Sequence, residues 1–394
     1  MNLRKVAALL VAGSIAVASP VPVASAAALD WSGLDARHHS APVPAPGHLI
    51  SSVPLDHSLW VPGAAAAYRF LYSTIDQHDS PAVSTAAVFV PRGAAPAGGW
   101  PVIAWAHGTV GLGDDCTPSA LPRSERDDEY LSHWLDEGYV VVGSDYAGLG
   151  TPGLMSYLNS VSTAHSVVDS VIAAHDLDLP LSPKWAIVGQ SQGGGAAVNS
   201  ARWATEFTRG TELDYRGVVA TGTPFNVEGI VGQGGPDMPL PPGLGPVAAS
   251  YTAYILAGVR EARPDLGIDS VLTPAGRAGA DKAETLCTAA LGQALDGLTP
   301  PGFFRAPLAS LPGITDALAA YMGTPTSGYD RPIFLGVGLQ DRDVPPSMSI
   351  ALNDQLRANG QDVTLKIYPD EDHSGTVLAS IPDSTPFLRA QFEG

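Results

Sequence analysis

A serine flanked by glycines, GQSQG at Gly189 to Gly193, and a single histidine beyond it, His373, are the residues of this chain that could build an acyl-transfer centre. A serine hydroxyl attacks a carbonyl carbon only when a neutral imidazole takes its proton, and that imidazole needs a carboxylate to fix its tautomer and stabilise its cation. GxSxG is the pattern of a tight strand-to-helix turn that exposes the hydroxyl. In a chain with 43 glycines the pattern alone says little, so its flanks decide. The apolar run WAIVG precedes it, and GGGAAVNSARWA follows it, with small residues that allow helix and strand to approach closely. Ser191 is therefore the expected nucleophile.

His373 follows the run TLKIYP in the loop DEDHSG, and no other histidine follows Ser191, so it is the expected base. The acid should end the preceding strand: RPIFLGVG runs into LQDRDVPP, which offers Asp341 and Asp343, and Asp341 is preferred because it comes first after the strand. The negative charge built on the carbonyl oxygen calls for two preorganised backbone N–H donors. The N–H of Gln192, at a helix N-terminus directly after the serine, should supply one. The loop WAHGTVG should supply the other from Thr109, with Gly108 allowing close approach, while His107 is expected to hold that loop by a side-chain hydrogen bond.

These residues sit at the ends of a series of short apolar runs. AAAYRFLYSTI and STAAVFVP read as a hairpin; PVIAWAHG, YVVVGSDYAG, KWAIVGQS, YRGVVATGTP, RPIFLGVGLQD and DVTLKIYPDEDH read as strands buried on both faces, as in a parallel sheet. Helical patterns lie between them at Ser162 to His175, Gly193 to Phe207, Ser347 to Asn359 and near Pro386 to Phe392. The alternation defines an α/β fold with a mostly parallel central sheet flanked by helices. It breaks between Phe225 and Gly328, where GGPDMPLPPGLGP precedes several helical segments. The expected organisation is a leader over residues 1–26, an extended arm without periodicity over 27–60, a core over 61–224, a mostly helical cap over 225–328, and the rest of the core over 329–394.

The leader has Arg4 and Lys5, an apolar run from Val6 to about Ala18, and an AxA site at Ala24 to Ala26, which is the layout of a cleaved secretory signal. No later run reaches the roughly 18 apolar residues a membrane helix needs, so a soluble, secreted protein is expected. The formal net charge is -18, and loss of Arg4 and Lys5 makes it two units more negative. Such a surface repels nucleic acid and anionic lipid, so any adsorption to a lipid interface should favour neutral lipid. Cys116 and Cys287, exported to an oxidising compartment, are expected to pair, the alternative being two free thiols. ERDDE at Glu125 to Glu129 reads as a solvated face. His38, His39, His48 and His57 lack zinc-site spacing, and DEDH lacks an EF-hand or HExxH context, so no metal or cofactor is expected.

From Tyr68 to His373 the chain resembles the secretory lipases, the lipase-A-like branch of the α/β-hydrolases. The motifs that carry the resemblance are YRFLYSTIDQHDSPAVSTAAVFVP, WAHGTVGLGDDCTPS, SDYAGLGTPG, GQSQGG, DRDVPP and YPDEDH, in that order. The resemblance implies hydrolysis of acylglycerols or other carboxylic esters beneath a helical cap. It also implies that the acid lies in a DxxVP turn, here Asp341, Val344 and Pro345. In DYAGLG the sequence leaves open whether Asp145 or Tyr146 meets substrate or merely ends a strand. A peptidase or acyltransferase on the same fold and a noncatalytic binding protein are the competing expectations.

Overall fold

The computed structural model describes residues 33–239 and 247–393; the expected leader, the first residues of the arm, and residues 240–246 of the Pro/Gly-rich stretch lie outside them. Nine strands form one sheet: β1 (Leu49–Pro54), β2 (Ala64–Ile75), β3 (Pro81–Pro91), β4 (Trp100–Ala106), β5 (Val140–Ser144), β6 (Leu181–Gln190), β7 (Asp214–Thr221), β8 (Ile333–Gly338) and β9 (Val363–Tyr368). Their order across the sheet is β1-β2-β3-β5-β4-β6-β7-β8-β9. The first three strands and the β3–β5 pair are antiparallel, and every pair from β5 through β9 is parallel. All eight strands expected from sequence are present. β1 is an addition, because residues 27–60 were expected to be irregular. Its segment LISSVP has two consecutive serines and is only partly buried, as befits an edge strand with one partner.

The helices are α1 (Glu125–Asp136), α2 (Ser160–Ala174), α3 (Gln192–Phe207), α4 (Val227–Gly232), α5 (Ala248–Ala262), α6 (Pro274–Ala283), α7 (Thr288–Ala294), α8 (Ile314–Met322), α9 (Pro346–Ala358), α10 (Gly375–Ala379) and α11 (Ile381–Glu393). Side chains alternate across the parallel strands: in β6, Trp185 and Ile187 join one apolar cluster with α2 and α3, while Ala186 and Val188 join the other with α1 and α11. Burial on both faces is why these strands read as unbroken apolar runs. α4 to α8 all fall between β7 and β8, a helical insertion. The disulfide Cys116–Cys287 ties it to the loop after β4. Beside that link Gly111 bridges to Cys287, and Thr288 N donates to Val110 O at 3.0 Å.

From β4 the chain steps to β5 on one side and later to β6 on the other. Such a reversal opens a crevice at the carboxyl ends of the strands, where α/β folds bind ligands. The loop His107–Thr109 and Ser191 both lie there, at the ends of β4 and β6.

Candidate active site

Ser191 occupies the turn between β6 and α3 with φ 61 and ψ -126, a left-handed conformation that costs a non-glycine residue about 1–3 kcal/mol. Its neighbours hold it there: Ser191 N donates to Thr221 O at 2.9 Å, and Gly195 N donates to Ser191 O at 3.1 Å. The flanking glycines are required by contact. A Cβ on Gly193 would lie 1.9 Å from Ala106 O, and one on Gly189 would lie 2.0 Å from Gly193 O. The small residues after the serine therefore press the start of α3 onto the end of β4.

His373 sits in the turn between β9 and α10, where Asp372 Oδ1 accepts from the N–H groups of Ser374 and Gly375. Its Nδ1 is 2.6 Å from Asp341 Oδ2, and the other oxygen of Asp341 accepts from the N–H groups of Asp343 and Val344 at 2.9 and 2.8 Å. That arrangement leaves the Asp341 carboxylate no freedom to rotate and makes Nδ1 the protonated nitrogen, so Nε2 carries the lone pair. Nε2 is buried and makes no hydrogen bond. Gly222 leaves the ring its space, since a Cβ there would lie 2.9 Å from His373 Cε1. Asp343, the alternative acid, makes no hydrogen bond to His373; it lines the apolar cavity described below, and burial raises its carboxyl above the usual value.

Gln192 begins α3, with its N–H at the helix N-terminus. Opposite it, the loop after β4 comes close enough that a Cβ on Gly108 would lie 3.5 Å from Ser191 Cβ. Thr109 Oγ1 is 2.7 Å from Tyr157 Oη, which fixes the loop from the far side. His107 also holds this loop: Nδ1 contacts Gly108 O at 2.7 Å, and the ring stacks on Tyr146 at 4.3 Å. Burial depresses its basicity.

Sequence reasoning left Asp145 and Tyr146 open, and their contacts account for both. Asp145 is 1 % exposed and accepts from Ser119 N at 2.8 Å, from Ser119 Oγ, and from Thr85 Oγ1 at 2.6 Å. The buried Arg69 adds its positive charge to this network. Tyr146 donates to His107 O at 3.0 Å. In ERDDE, Glu125 and Glu129 are exposed, and Arg126, Asp127 and Asp128 are half-buried. The run forms the first turn of α1, capped by Ser124, with Asp127 bound to Arg126 at 2.7 Å.

Two cavities meet at Ser191. One, of about 440 Å³, is bordered by His373, Ser374, Arg126 and Asp127. The other, of about 510 Å³, is lined by apolar side chains of the insertion and of α9, among them Val231, Ile255, Leu256, Phe304 and Met348. Ser191 and Tyr251 border both. Arg126 was read from sequence only as part of the ERDDE face, and Tyr251, near the start of α5, was given no role of its own.

Residues 316–385, which include Asp341 and His373, match the prolyl oligopeptidase family. A secreted triacylglycerol lipase of Malassezia globosa is 25% identical over 356 residues, covering 83% of this chain and 70% of the relative. Among solved structures, Candida antarctica lipase A in its closed state matches with a TM-score of 0.70 at 20% identity, over 89% of this chain and 83% of that one. The rice cell wall degrading esterase LipA of Xanthomonas oryzae matches with a TM-score of 0.65 at 20% identity, over 89% and 98% of the two chains. The sheet and these likenesses define an α/β-hydrolase. Within that class the chain is similar to lipase-A-like carboxylic ester hydrolases.

Proposed function

We propose that this protein is an exported lipase or esterase that cleaves acyl esters through Ser191, His373 and Asp341. His373 Nε2 takes the proton of Ser191 Oγ as that oxygen bonds to the ester carbonyl carbon. Asp341 stabilises the resulting imidazolium. The carbonyl oxygen, now negative, is met by the backbone N–H groups of Gln192 and Thr109, each worth about 3 kcal/mol in such a site. The bond to the alcohol oxygen breaks, the imidazolium protonates that oxygen, and the acyl group stays on Ser191. Water, deprotonated by His373, then releases the carboxylic acid and restores the hydroxyl.

The observation that carries this reading is the 2.6 Å contact of Asp341 with His373 Nδ1, with Nε2 left unpaired at the cavity that Ser191 shares. The insertion acts as a cap, and the apolar cavity under it takes the acyl chain. Each buried CH₂ adds about 0.8 kcal/mol, so kcat/KM rises with acyl length until the cavity is full. The layout of residues 1–26 and the secreted relative support export.

The test is kcat/KM for soluble p-nitrophenyl esters with acyl chains of two to eight carbons. A rise from acetate towards octanoate is expected. A steady fall from acetate onward would contradict an acyl-binding role for the apolar cavity.

A further inference from the structure

Thr109 Oγ1 and Tyr157 Oη are 2.7 Å apart, and their surroundings decide which of them donates. Tyr157 is 3 % exposed, in the segment between β5 and α2, with its ring against Tyr254 of α5 at 5.4 Å. Among the described residues, Thr109 is the hydroxyl's one hydrogen-bond partner, and burial keeps the phenol protonated. If Thr109 donated, the Tyr157 proton would be shut inside the protein without an acceptor, which is costly. Tyr157 therefore donates and Thr109 Oγ1 accepts. Thr109 Oγ1 makes no other hydrogen bond among the described residues, so its own proton is left over.

That proton belongs to the neighbourhood of the nucleophile. Thr109 is half-buried and borders the cavity it shares with Ser191 and His373, while Tyr157 borders the apolar cavity, so their hydrogen bond bridges the two sides of Ser191. The segment that carries Tyr157 also backs the second oxyanion residue, since Met155 Sδ lies 4.0 Å from Gln192 Nε2. Residues 155–157 thus touch both side chains whose backbone N–H groups face the carbonyl oxygen in the reading above. A hydroxyl donates more strongly to a charged oxygen than to a neutral one. A spare O–H at this place therefore acts as the ester oxygen becomes negative, and contributes little while the substrate is merely bound.

We propose that the Thr109 side-chain hydroxyl is a third donor to the carbonyl oxygen, beside the N–H groups of Thr109 and Gln192, and that Tyr157 is the positioning residue that aims it. The proposal rests on the ester-hydrolase reading and adds a catalytic group to it.

Thr109→Val keeps the branched shape and removes the hydroxyl. It should lower kcat for p-nitrophenyl butyrate at least about tenfold, with KM little changed. The affinity for a butyl trifluoromethyl ketone, whose adduct on Ser191 carries the same negative oxygen, should fall by a similar factor. Thr109→Ser should retain most of the activity. Tyr157→Phe should lower kcat by a smaller factor, and should have no further effect when added to Thr109→Val, because it acts only through that hydroxyl. Thermal melting establishes that each variant is folded. Unchanged kcat or unchanged ketone affinity in folded Thr109→Val overturns the proposal. So does a double variant that recovers wild-type kcat, since the single variant would then suffer only from an unpaired Tyr157 hydroxyl. Either result leaves the ester-hydrolase reading intact. If the wild-type protein neither cleaves the ester nor binds the ketone, that reading falls and this proposal falls with it.

Discussion

The imidazole of His107 is 4 % exposed, and burial holds its pKa below the usual value of 6.5. A histidine whose basicity is lowered by folding binds protons more readily in the unfolded chain. Its neutral form therefore stabilises the fold above that value, and the contribution is lost as pH falls through it. The melting temperature should drop between pH 7.5 and pH 5.5, and His107→Asn should show a shallower drop; equal slopes would mean that other groups control the acid limit. At this scale Ser191 and His373 were legible, one from the strand and helix around it, the other because no other histidine follows the serine. The choice between Asp341 and Asp343 needed the turn itself. Both aspartates follow the strand within five residues, and only the closed loop directs Asp341 to the imidazole and turns Asp343 toward the apolar cavity.

At the scale of elements, the parallel strands β4 to β8 were readable because their inner stretches are buried on both faces and so read as apolar runs. β1 was not, since one partner and partial exposure leave no comparable apolar run. The helices of the insertion were legible only as a class, because between α5 and α8 the chain is broken by short 3-10 turns such as Pro264–Leu266 and Pro300–Phe303. α4 nevertheless gives a sharp test. Val231, on this helix, is half-buried and lines the apolar cavity, so a larger side chain can fill the cavity at limited cost to packing. Val231→Trp should move the acyl-length optimum to shorter esters, with octanoate losing about tenfold or more in kcat/KM relative to butyrate. A folded Val231→Trp protein with an unchanged profile would place the acyl chain elsewhere.

For the molecule as a whole, the Cys116–Cys287 disulfide joins two segments 171 residues apart and anchors the insertion beside the loop that carries Thr109. Closing a loop of that length contributes on the order of 5 kcal/mol in the chain-entropy model. Intact mass after iodoacetamide treatment without reductant should show no adduct, and Cys116→Ser with Cys287→Ser should melt at a clearly lower temperature. Two alkylated thiols in the unreduced protein would contradict the pairing. Of the two residues that border both cavities, Tyr251 belongs to the insertion and Ser191 to the turn after β6 of the core.

The central claim is that Ser191 is an activated nucleophile. Its most direct test is peptide mapping by mass spectrometry after reaction with a fluorophosphonate, with residual hydrolysis of p-nitrophenyl octanoate followed in the same sample. The account predicts a single phosphonyl adduct on the peptide containing Ser191, formed in proportion to the activity lost. A protein that hydrolyses the ester yet carries no adduct, or carries it on another residue, would contradict it.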